Sequence, residues 1–484
     1  MSALLQSPFM HDSIQEVVPD VAKVAGKLSS ASVITARRRV RLVPQSGQTY
    51  ASGGGASTVN ILIQDGQAYA DLLSAVLSFE VTTPTGYALD DGAWSVFRRM
   101  FVSVNSTLMD DTDFVAKKAN AELYATASQE WYNTVGSMCG LYKANTGAFA
   151  TNSTVTSDTE GFVDKYASAV KAKQADAITT PGSIRNKFMV PLCLLSSFFR
   201  NEMLYPLRNA GQLYVQLNIA SALEACVATG SGTTPSFTIS NLTMELDFVD
   251  LHPTYLGMMD DIMEKPGDDG VRWAFDSHLV SAQNLPSGSG EQSVIVSKAS
   301  QNMRSIQIVV QSQPGLSLAS YPKQSTFANP GFVNAQYRVG SLYFPAFPSV
   351  GEARAFCDVQ NAFGSPVSVD KSGLADIRNY YNATLAGNPN ASPVIDPSMP
   401  ANYTGGAYQL YSDMWMHAYC FDKLKHAELK GLDLDGLNTL TSSGSQIVVQ
   451  LNTNGAFTDS AVLTSILRFT RILEIRGGAT RVIG

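Results

Sequence analysis

The residue types that most often carry enzyme chemistry are scattered in this 484-residue chain. Its five histidines are far apart and none lies at metal-ligand spacing to another: His11, His252, His278, His417 and His426. Asp433 and Asp435 could form half of a metal site, but two aspartates just before Gly436 are more typical of a turn. We therefore predict no catalytic residue, no cofactor-binding residue and no metal ligand.

Common enzyme motifs are also missing from the sequence. It contains no G-x-S-x-G, no Walker loop and no H-E-x-x-H. Asp110, Asp111 and Asp113 are better explained as helix-start residues, where carboxylates stabilise the helix dipole. A carboxylate pair for glycoside hydrolysis stays open, because such a pair is close in space rather than in sequence. We predict a protein that is not an enzyme, with a carbohydrate-binding or glycoside-hydrolysing two-domain β-sandwich protein as the alternative.

The composition is that of a globular chain with an unusually uncharged surface. Hydrophobic residues make up 45% of the chain and charged residues only 15%, against roughly 25% charged residues in an average domain. Such a surface suits a protein that buries much of its outside against copies of itself. The net charge of −7 argues against a protein that coats nucleic acid. Five scattered cysteines without a C-x-x-C pair, and the lack of a signal peptide, predict synthesis in a reducing cytoplasm.

Period-2 alternation of apolar residues predicts β-strands along most of the chain from residue 57. Examples are Met100, Val102 and Val104, which would share one buried face. Two helices are predicted among these strands, one from Phe114 to Thr126 after Asp113 and one over residues 408–429. The sequence therefore favours an all-β protein with short helices.

A short internal repeat divides the strand-rich region into two halves. The segments Gln212–Asn218 and Gln446–Asn452 are identical at five of seven positions. They lie about half a chain apart, and each precedes the last predicted strand of its half. This pattern favours a duplicated β-domain.

The predicted domain boundaries follow from changes in composition. Residues 1–56 form an arm, 57–255 a first β-domain, 256–270 a linker and 271–484 a second β-domain. The arm combines a helical apolar stripe with six basic residues in an acid-free run from 21 to 50, and it ends at a run of three glycines. We expect it to dock on a partner or on an anionic surface. Residues 143–186 and 387–406 are predicted surface insertions, because they are rich in turn-forming and small residues.

Several segments resemble characteristic stretches of one known protein family. Val190–Phe199 followed by Leu204–Leu207 is similar to the family's "PL-x-LLS…LPL" stretch. Phe97–Asn105 resembles its early strand before a helix. Tyr337–Pro345 resembles its "Y-x-x-G-x-x-x-P" segment, with one more residue between the glycine and the proline. Gly431–Asp433 resembles the "GLD" stretch before the closing strands. These stretches are those of the double jelly-roll major capsid proteins of DNA viruses. The resemblance runs from about residue 57 to the C-terminus and is greatest to the capsid proteins of polinton-like viruses, virophages and adintoviruses.

The resemblance implies a fold, an assembly and a location. The fold would be two tandem eight-stranded jelly-roll β-sandwiches with short helices and long loop insertions. The protein would form homotrimeric, pseudo-hexagonal capsomers of an icosahedral shell around a double-stranded DNA genome. Its partners would be neighbouring capsomers, minor capsid and penton proteins, and an internal membrane touched by the interior-facing arm. No cofactor and no sequence-specific binding of nucleic acid are implied, and the protein would be located in the virion.

Overall fold

The structure, a computed structural model, contains twenty β-strands and several short helices within the residues that it describes. These residues are 33–52, 58–66, 68–84, 87–128, 131–136, 138–141, 186–201, 203–228, 234–264, 271–288, 290–296, 298, 300–317, 323–363, 414–422, 437–439, 446–453, 460–476 and 479–483. The strands of the first half are β1 (Ile34–Leu42), β2 (Tyr50–Ala51), β3 (Thr58–Ile63), β4 (Tyr69–Thr82), β5 (Tyr87–Leu89), β6 (Phe97–Val104), β7 (Thr107–Asp113), β8 (Asn186–Pro191), β9 (Leu213–Ile219), β10 (Cys226–Ala228) and β11 (Thr238–Leu251). The strands of the second half are β12 (Val271–Leu285), β13 (Glu291–Val296), β14 (Met303–Ser312), β15 (Phe332–Val339), β16 (Leu342–Val350), β17 (His417–Cys420), β18 (Ile447–Thr453), β19 (Ala461–Arg476) and β20 (Ala479–Ile483).

Short helices connect these strands. The α-helices are α1 (Val115–Thr126), α2 (Leu192–Leu195), α3 (Leu207–Ala210), α4 (Ala222–Ala225), α5 (Pro253–Glu264), α6 (Gln313–Ser317) and α7 (Glu352–Phe363). Two 3₁₀ turns span Ala93–Val96 and Ser197–Arg200, and a π-helical turn spans Tyr132–Gly136. The helix predicted after Asp113 is confirmed as α1, and the Asp113 carboxylate accepts a hydrogen bond from the Phe114 N–H at 2.9 Å, just before α1 begins.

The strands form two sandwiches with the same strand order. In the first sandwich, one sheet runs β1-β11-β4-β8 and the other β3-β9-β6-β7. In the second sandwich, the sheets run β12-β19-β14-β17 and β13-β18-β15-β16. All of these neighbouring strands are antiparallel. Two packed four-stranded sheets with this arrangement make a jelly roll, so the predicted all-β fold of two tandem jelly rolls is confirmed.

The internal repeat lies on equivalent strands of the two sandwiches. Its first copy forms β9, between β3 and β6, and its second copy forms β18, between β13 and β15. The registers also match, because Leu213 pairs with the last residue of β6 and Ile447 with the last residue of β15. Leu213, Val215 and Leu217 are buried, as are the corresponding residues of β18. The repeat therefore preserves a buried face that both sandwiches need.

The first sandwich begins before residue 57, so the predicted arm boundary at residue 56 is wrong. Strand β1 pairs with β11 along its length and forms one edge of the first sheet. The arginines of the basic run face carboxylates of the same sheet: Arg37 and Arg39 bind Asp247 with shortest N–O distances of 2.8 Å and 2.9 Å. Arg41 binds Glu245 at 2.8 Å. The carboxylates of β11 that bind these arginines lie about two hundred residues further along the chain, so the local sequence of the run gives no sign of a strand pairing.

Two other predictions are wrong in part. Residues 256–264, the first part of the predicted linker 256–270, belong to α5, whose Met259 is buried, so this stretch is not a bare connection. Within the predicted helix 408–429, residues 417–420 form β17, the edge strand beside β14. Several predicted features lie outside the described residues. They are the insertions at 143–186 (except Asn186) and 387–406, residues 1–32 and the glycines at 53–55 of the predicted arm, and residues 265–270 of the predicted linker.

Candidate functional site

Within the described part of the chain, the residues considered for chemistry in the sequence are not brought together by the fold. His278 and His417 are buried on separate strands, and the described part of the chain holds no group of three metal-ligating side chains. Asp111 forms an ion pair with Arg99 at 2.7 Å on strand β7 rather than at a helix start. Asp433, Asp435, His11 and His426 lie outside the described residues. Several buried charged and polar side chains cluster between the two sandwiches.

Asp90 links the first sandwich to the segment before β15 of the second. Its buried carboxylate accepts hydrogen bonds from the Gln324 N–H at 2.6 Å and from the Ser325 hydroxyl at 2.5 Å. Two residues of α1 reach the same segment, as the Asn120 amide donates to the Gln324 carbonyl and the Tyr124 hydroxyl to the Ser325 carbonyl. Hydrogen bonds to a buried carboxylate are strong because the charge has no competing water. This group fixes the position of the second sandwich on α1.

Asp110 provides a second link, between β7 and β12. It is 1% exposed and accepts a hydrogen bond from the Ser277 hydroxyl at 2.6 Å. The Ser196 hydroxyl donates to its other oxygen. Nearby, the Arg471 guanidinium donates to the Met109 carbonyl at 2.6 Å. The aspartate that sequence alone assigned to a helix start is therefore a buried acceptor between the sandwiches.

A buried ion-pair cluster lies on the side of α1 that faces the second sandwich. The Glu122 carboxylate is 2.9 Å from the Lys118 ammonium and accepts a hydrogen bond from Arg200. The Lys118 side chain is only 1% exposed. Burial lowers the pKa of Lys118. Burial alone would raise the pKa of Glu122, but the charges of Arg200 and Lys118 hold it well below its usual range. The three groups therefore stabilise each other as ions.

The second sandwich contributes its own charged group at the same boundary. The Asp276 carboxylate lies against Arg468, whose Nε donates at 2.7 Å, and against Arg304 at 3.3 Å. Arg304 also pairs with Asp422 at 3.3 Å. Burial alone would raise the pKa of Asp276, but the two arginines outweigh it and lower the pKa to about 2. The aspartate stays ionised over the whole range in which the protein would be handled.

Between these two charged groups lies a cavity of about 10 Å³, the size of one water molecule. It is lined by side chains of both sandwiches, among them Glu122, His278, Gln307 and Arg468. The Nδ1 atom of His278 has no hydrogen-bond partner within the described part of the chain. Burial, together with the charge of Lys118, lowers the pKa of His278 well below its usual value. The cavity is too small for a substrate, so this polar centre is structural.

An aromatic cluster completes the boundary between the sandwiches. Phe198, from the 3₁₀ turn of the first sandwich, stacks on Trp273 of β12 with ring centroids 6.1 Å apart. It also meets Phe275 edge-on at 5.0 Å, and Tyr205 meets Trp273 edge-on at 5.4 Å. The buried apolar side chains of both sandwiches form one continuous cluster. The two jelly rolls are thus joined by a boundary that resembles a protein core.

The free surface of the second sandwich is apolar along one edge. Strand β16 ends its sheet, and Leu342, Phe347 and Val350 on it are 59%, 84% and 63% exposed. This surface is not apparent from the apolar pattern of the sequence. Pro345 and Pro348 are the sequence signal that β16 is an edge strand. Proline has no backbone N–H to donate to a neighbouring strand, so within sheets it is confined to edge positions.

Comparison with known proteins supports the fold described above. No protein-family model matches the chain, and no curated protein sequence does. Among solved structures, the mavirus major capsid protein superposes with a TM-score of 0.51 at 11% identity, covering 94% of this chain and 91% of that chain. The structure of the Sputnik virophage gives a TM-score of 0.52 at 12% identity, covering 94% of this chain and 89% of that chain. The capsid of the virus PBCV-1 gives 0.50 at 11% identity, covering 94% of this chain and 98% of that chain.

At these identities the likeness establishes the fold. The predicted resemblance to double jelly-roll major capsid proteins is confirmed at that level, because the matches cover nearly the whole chain. Among the described helices, none is both long enough and apolar enough to cross a bilayer.

Proposed function

We propose that the protein is the major capsid protein of a DNA virus. The observation that carries this proposal is the pair of jelly rolls with identical strand order, in a fold shared over 94% of the chain with the mavirus major capsid protein. Each chain supplies two similar wedges, so three chains supply six wedges around a threefold axis. Such a trimer has a nearly hexagonal outline and can tile the faces of an icosahedral shell.

The surface composition fits assembly into a shell around double-stranded DNA. Only 15% of the residues are charged, which suits a protein that buries large interfaces between copies of itself. The net charge of −7 agrees with a shell whose subunits do not neutralise phosphates individually. We propose that the protein has no enzymatic activity and no sequence-specific affinity for nucleic acid. Its place would be the virion, with neighbouring capsomers and minor capsid or penton proteins as partners.

The native mass of the purified protein tests this proposal. Light scattering should give three times the 51.9 kDa of one chain, and negative-stain images of concentrated protein should contain shells or hexagonal capsomers. A stable monomer that binds or cleaves oligosaccharides would contradict the capsid function and support the alternative two-domain β-sandwich protein.

The segment before β1 is proposed to face the shell interior. Residues 1–32 keep the apolar stripe of Ile14, Val17 and Val21. Lys23 and Lys27 are the only lysines or arginines in residues 1–32, because the four arginines of the basic run belong to β1. We therefore propose that this arm contacts minor capsid proteins or an internal membrane through apolar burial, so that raising the salt concentration changes the contact little.

Deletion of residues 1–32 tests the arm separately from the fold. Because β1 begins at Ile34, we expect the shortened chain to form trimers of wild-type thermal stability, while the yield or heat resistance of shells falls. Deletion of residues 1–43 is the matched control. It also removes β1 and its ion pairs with β11, so it should destabilise the subunit itself. Shells of full yield and stability from the shorter deletion would contradict a role for the arm.

A further inference from the structure

Equivalent elements of the two sandwiches differ sharply in how much of them is covered. Helices α1 and α7 each have twelve residues and follow the last strand of the equivalent sheet, β7 and β16 respectively. Helix α1 buries eleven of its residues and α7 only four. The difference arises because the second sandwich covers α1, for example where Gln307 donates to the Ala121 carbonyl and Tyr124 to the Ser325 carbonyl.

Strands β7 and β16 show the same contrast. Met109, Asp110 and Thr112 of β7 are at most 1% exposed, since β12 and its neighbours cover this strand. Strand β16 has no such cover in the described part of the chain. The exposed apolar residues of β15 and β16 define the β16 patch: Val333, Leu342, Tyr343, Phe347 and Val350. An exposed apolar patch at a sheet edge is typical of an interaction surface.

The surface that would fit the β16 patch lies on the first sandwich. Inside the chain, β7 and α1 are covered by the sheet β12-β19-β14, whose equivalent in the first sandwich is β1-β11-β4. Strand β1 is exposed at its first six positions. Ile34, Val43 and Leu73, on or beside this sheet, are 41%, 54% and 45% exposed.

The chemistry of the two surfaces is also complementary. The side chains of Arg39 and Arg41 are 68% and 66% exposed although their charges are balanced by Asp247 and Glu245. A guanidinium that already has its carboxylate can pack its plane on an aromatic ring with little further desolvation. Tyr343 and Phe347 of the β16 patch offer such rings.

We infer that the β16 patch and the outer face of α7 bind the β1 side of the first sandwich of a second copy of this chain. The contact would repeat, between chains, the relation that joins the two sandwiches within one chain. The two surfaces lie on different sandwiches, so the interface is head-to-tail, and head-to-tail contacts close into a ring when the rotation allows it. With two sandwiches per chain, a ring of six sandwiches closes with three chains. This inference rests on the proposed capsid function and names the surface that its trimer uses.

A single charge in the patch tests the inference. We expect Phe347→Asp to convert the trimer to a species with the sedimentation mass of one chain, because the aspartate would be buried opposite apolar groups. Ile295→Asp is the matched control, since Ile295 is 49% exposed on β13 at the opposite edge of the same sheet, and it should keep the wild-type mass. Val350→Asp is a second variant in the patch and should act like Phe347→Asp. Circular dichroism checks that each variant keeps its β-structure.

The outcomes separate this inference from the proposed function. If the wild type is a trimer and both patch variants are trimers of equal stability, the inference is wrong and the capsid function stands. If the wild type is a monomer at all concentrations, the capsid function fails as well.

A photo-reactive benzophenone side chain at position 347 identifies the partner surface directly. In a mixture of light and isotope-labelled chains, we expect cross-links between chains to peptides from residues 33–51. Cross-links to the β16 patch of the other chain, to the chain's own residues or to another virion protein would overturn the inference.

Discussion

Replacing Glu122 by glutamine is expected to lower the free energy of unfolding by about 3–5 kcal/mol, as is usual when one partner of a buried ion pair is removed. The Lys118 ammonium, 1% exposed, would lose the carboxylate 2.9 Å away. Arg200 would lose the same partner. A neutral amide of nearly the same shape cannot compensate either charge, so the cost is electrostatic rather than steric. Denaturant unfolding at pH 7.5 and fixed protein concentration measures the change.

Glu245→Gln is the matched control for this prediction. Glu245 is bound by Arg41 at 2.8 Å, but that arginine side chain is 66% exposed, and exposed pairs contribute about 0–1 kcal/mol. Adding Lys118→Met to Glu122→Gln should recover part of the loss, because the orphaned buried charge is then gone. A loss no larger than that of Glu245→Gln would mean that water reaches the cluster and that it does not hold the sandwiches together.

The fold was predictable because its signals are local. Alternating apolar residues such as Met100, Val102 and Val104 become strands whose buried face matches the pattern. The repeated segment on β9 and β18 marks the duplication, because both copies place three alternating apolar residues on the buried face of equivalent strands. The alternation of apolar residues does not predict a strand that contains few apolar residues. The Arg-rich β1 lies at a sheet edge and needs few apolar residues, so its sequence is not typical of a strand.

The boundary between the sandwiches was not predictable from the sequence. Asp90 binds Gln324 and Ser325, which lie more than two hundred residues away. Asp110 binds Ser277, which lies 167 residues away. Nothing in the residues around these aspartates distinguishes a buried acceptor from a solvated turn residue. Only the packing of one jelly roll on the other brings donors to them, and that packing depends on shape rather than on a motif.

Lowering the pH from 7.5 to 5.0 is expected to reduce the stability of the protein by about 2 kcal/mol through His417 alone. This histidine is fully buried on β17, and burial lowers its pKa from the ordinary 6.5 to about 3. The unfolded chain binds the proton near pH 6.5, whereas the folded chain does not until about pH 3. Stability is therefore complete above pH 6.5 and is lost as the pH falls from 6.5 towards 3, by about 1.4 kcal/mol per pH unit.

The groups around the ring explain why the folded protein resists protonation there. Tyr337 shares a hydrogen bond of 2.6 Å with Nδ1, and the Phe332 ring stacks on the imidazole at 5.6 Å. The carboxylate of Asp358 is 3.9 Å from Nε2, too far for a hydrogen bond, and it already binds Ser349 at 2.5 Å and Arg354 at 3.1 Å. A charge on the imidazole would thus face an apolar pocket and a carboxylate whose charge is already compensated.

The His417→Gln variant isolates this contribution. Glutamine keeps a polar group near Tyr337 but does not titrate, so the stability difference between pH 7.5 and pH 5.0 should shrink by about 2 kcal/mol. His252→Gln, which replaces a half-buried histidine just before α5, is measured beside it as the control for a change of histidine to glutamine outside the β17 pocket. His278, whose pKa burial also lowers, is present in all three proteins and accounts for acid sensitivity that remains. If His417→Gln has the same difference as the wild type, His417 is hydrated in the folded protein, and its site on β17 is open to water.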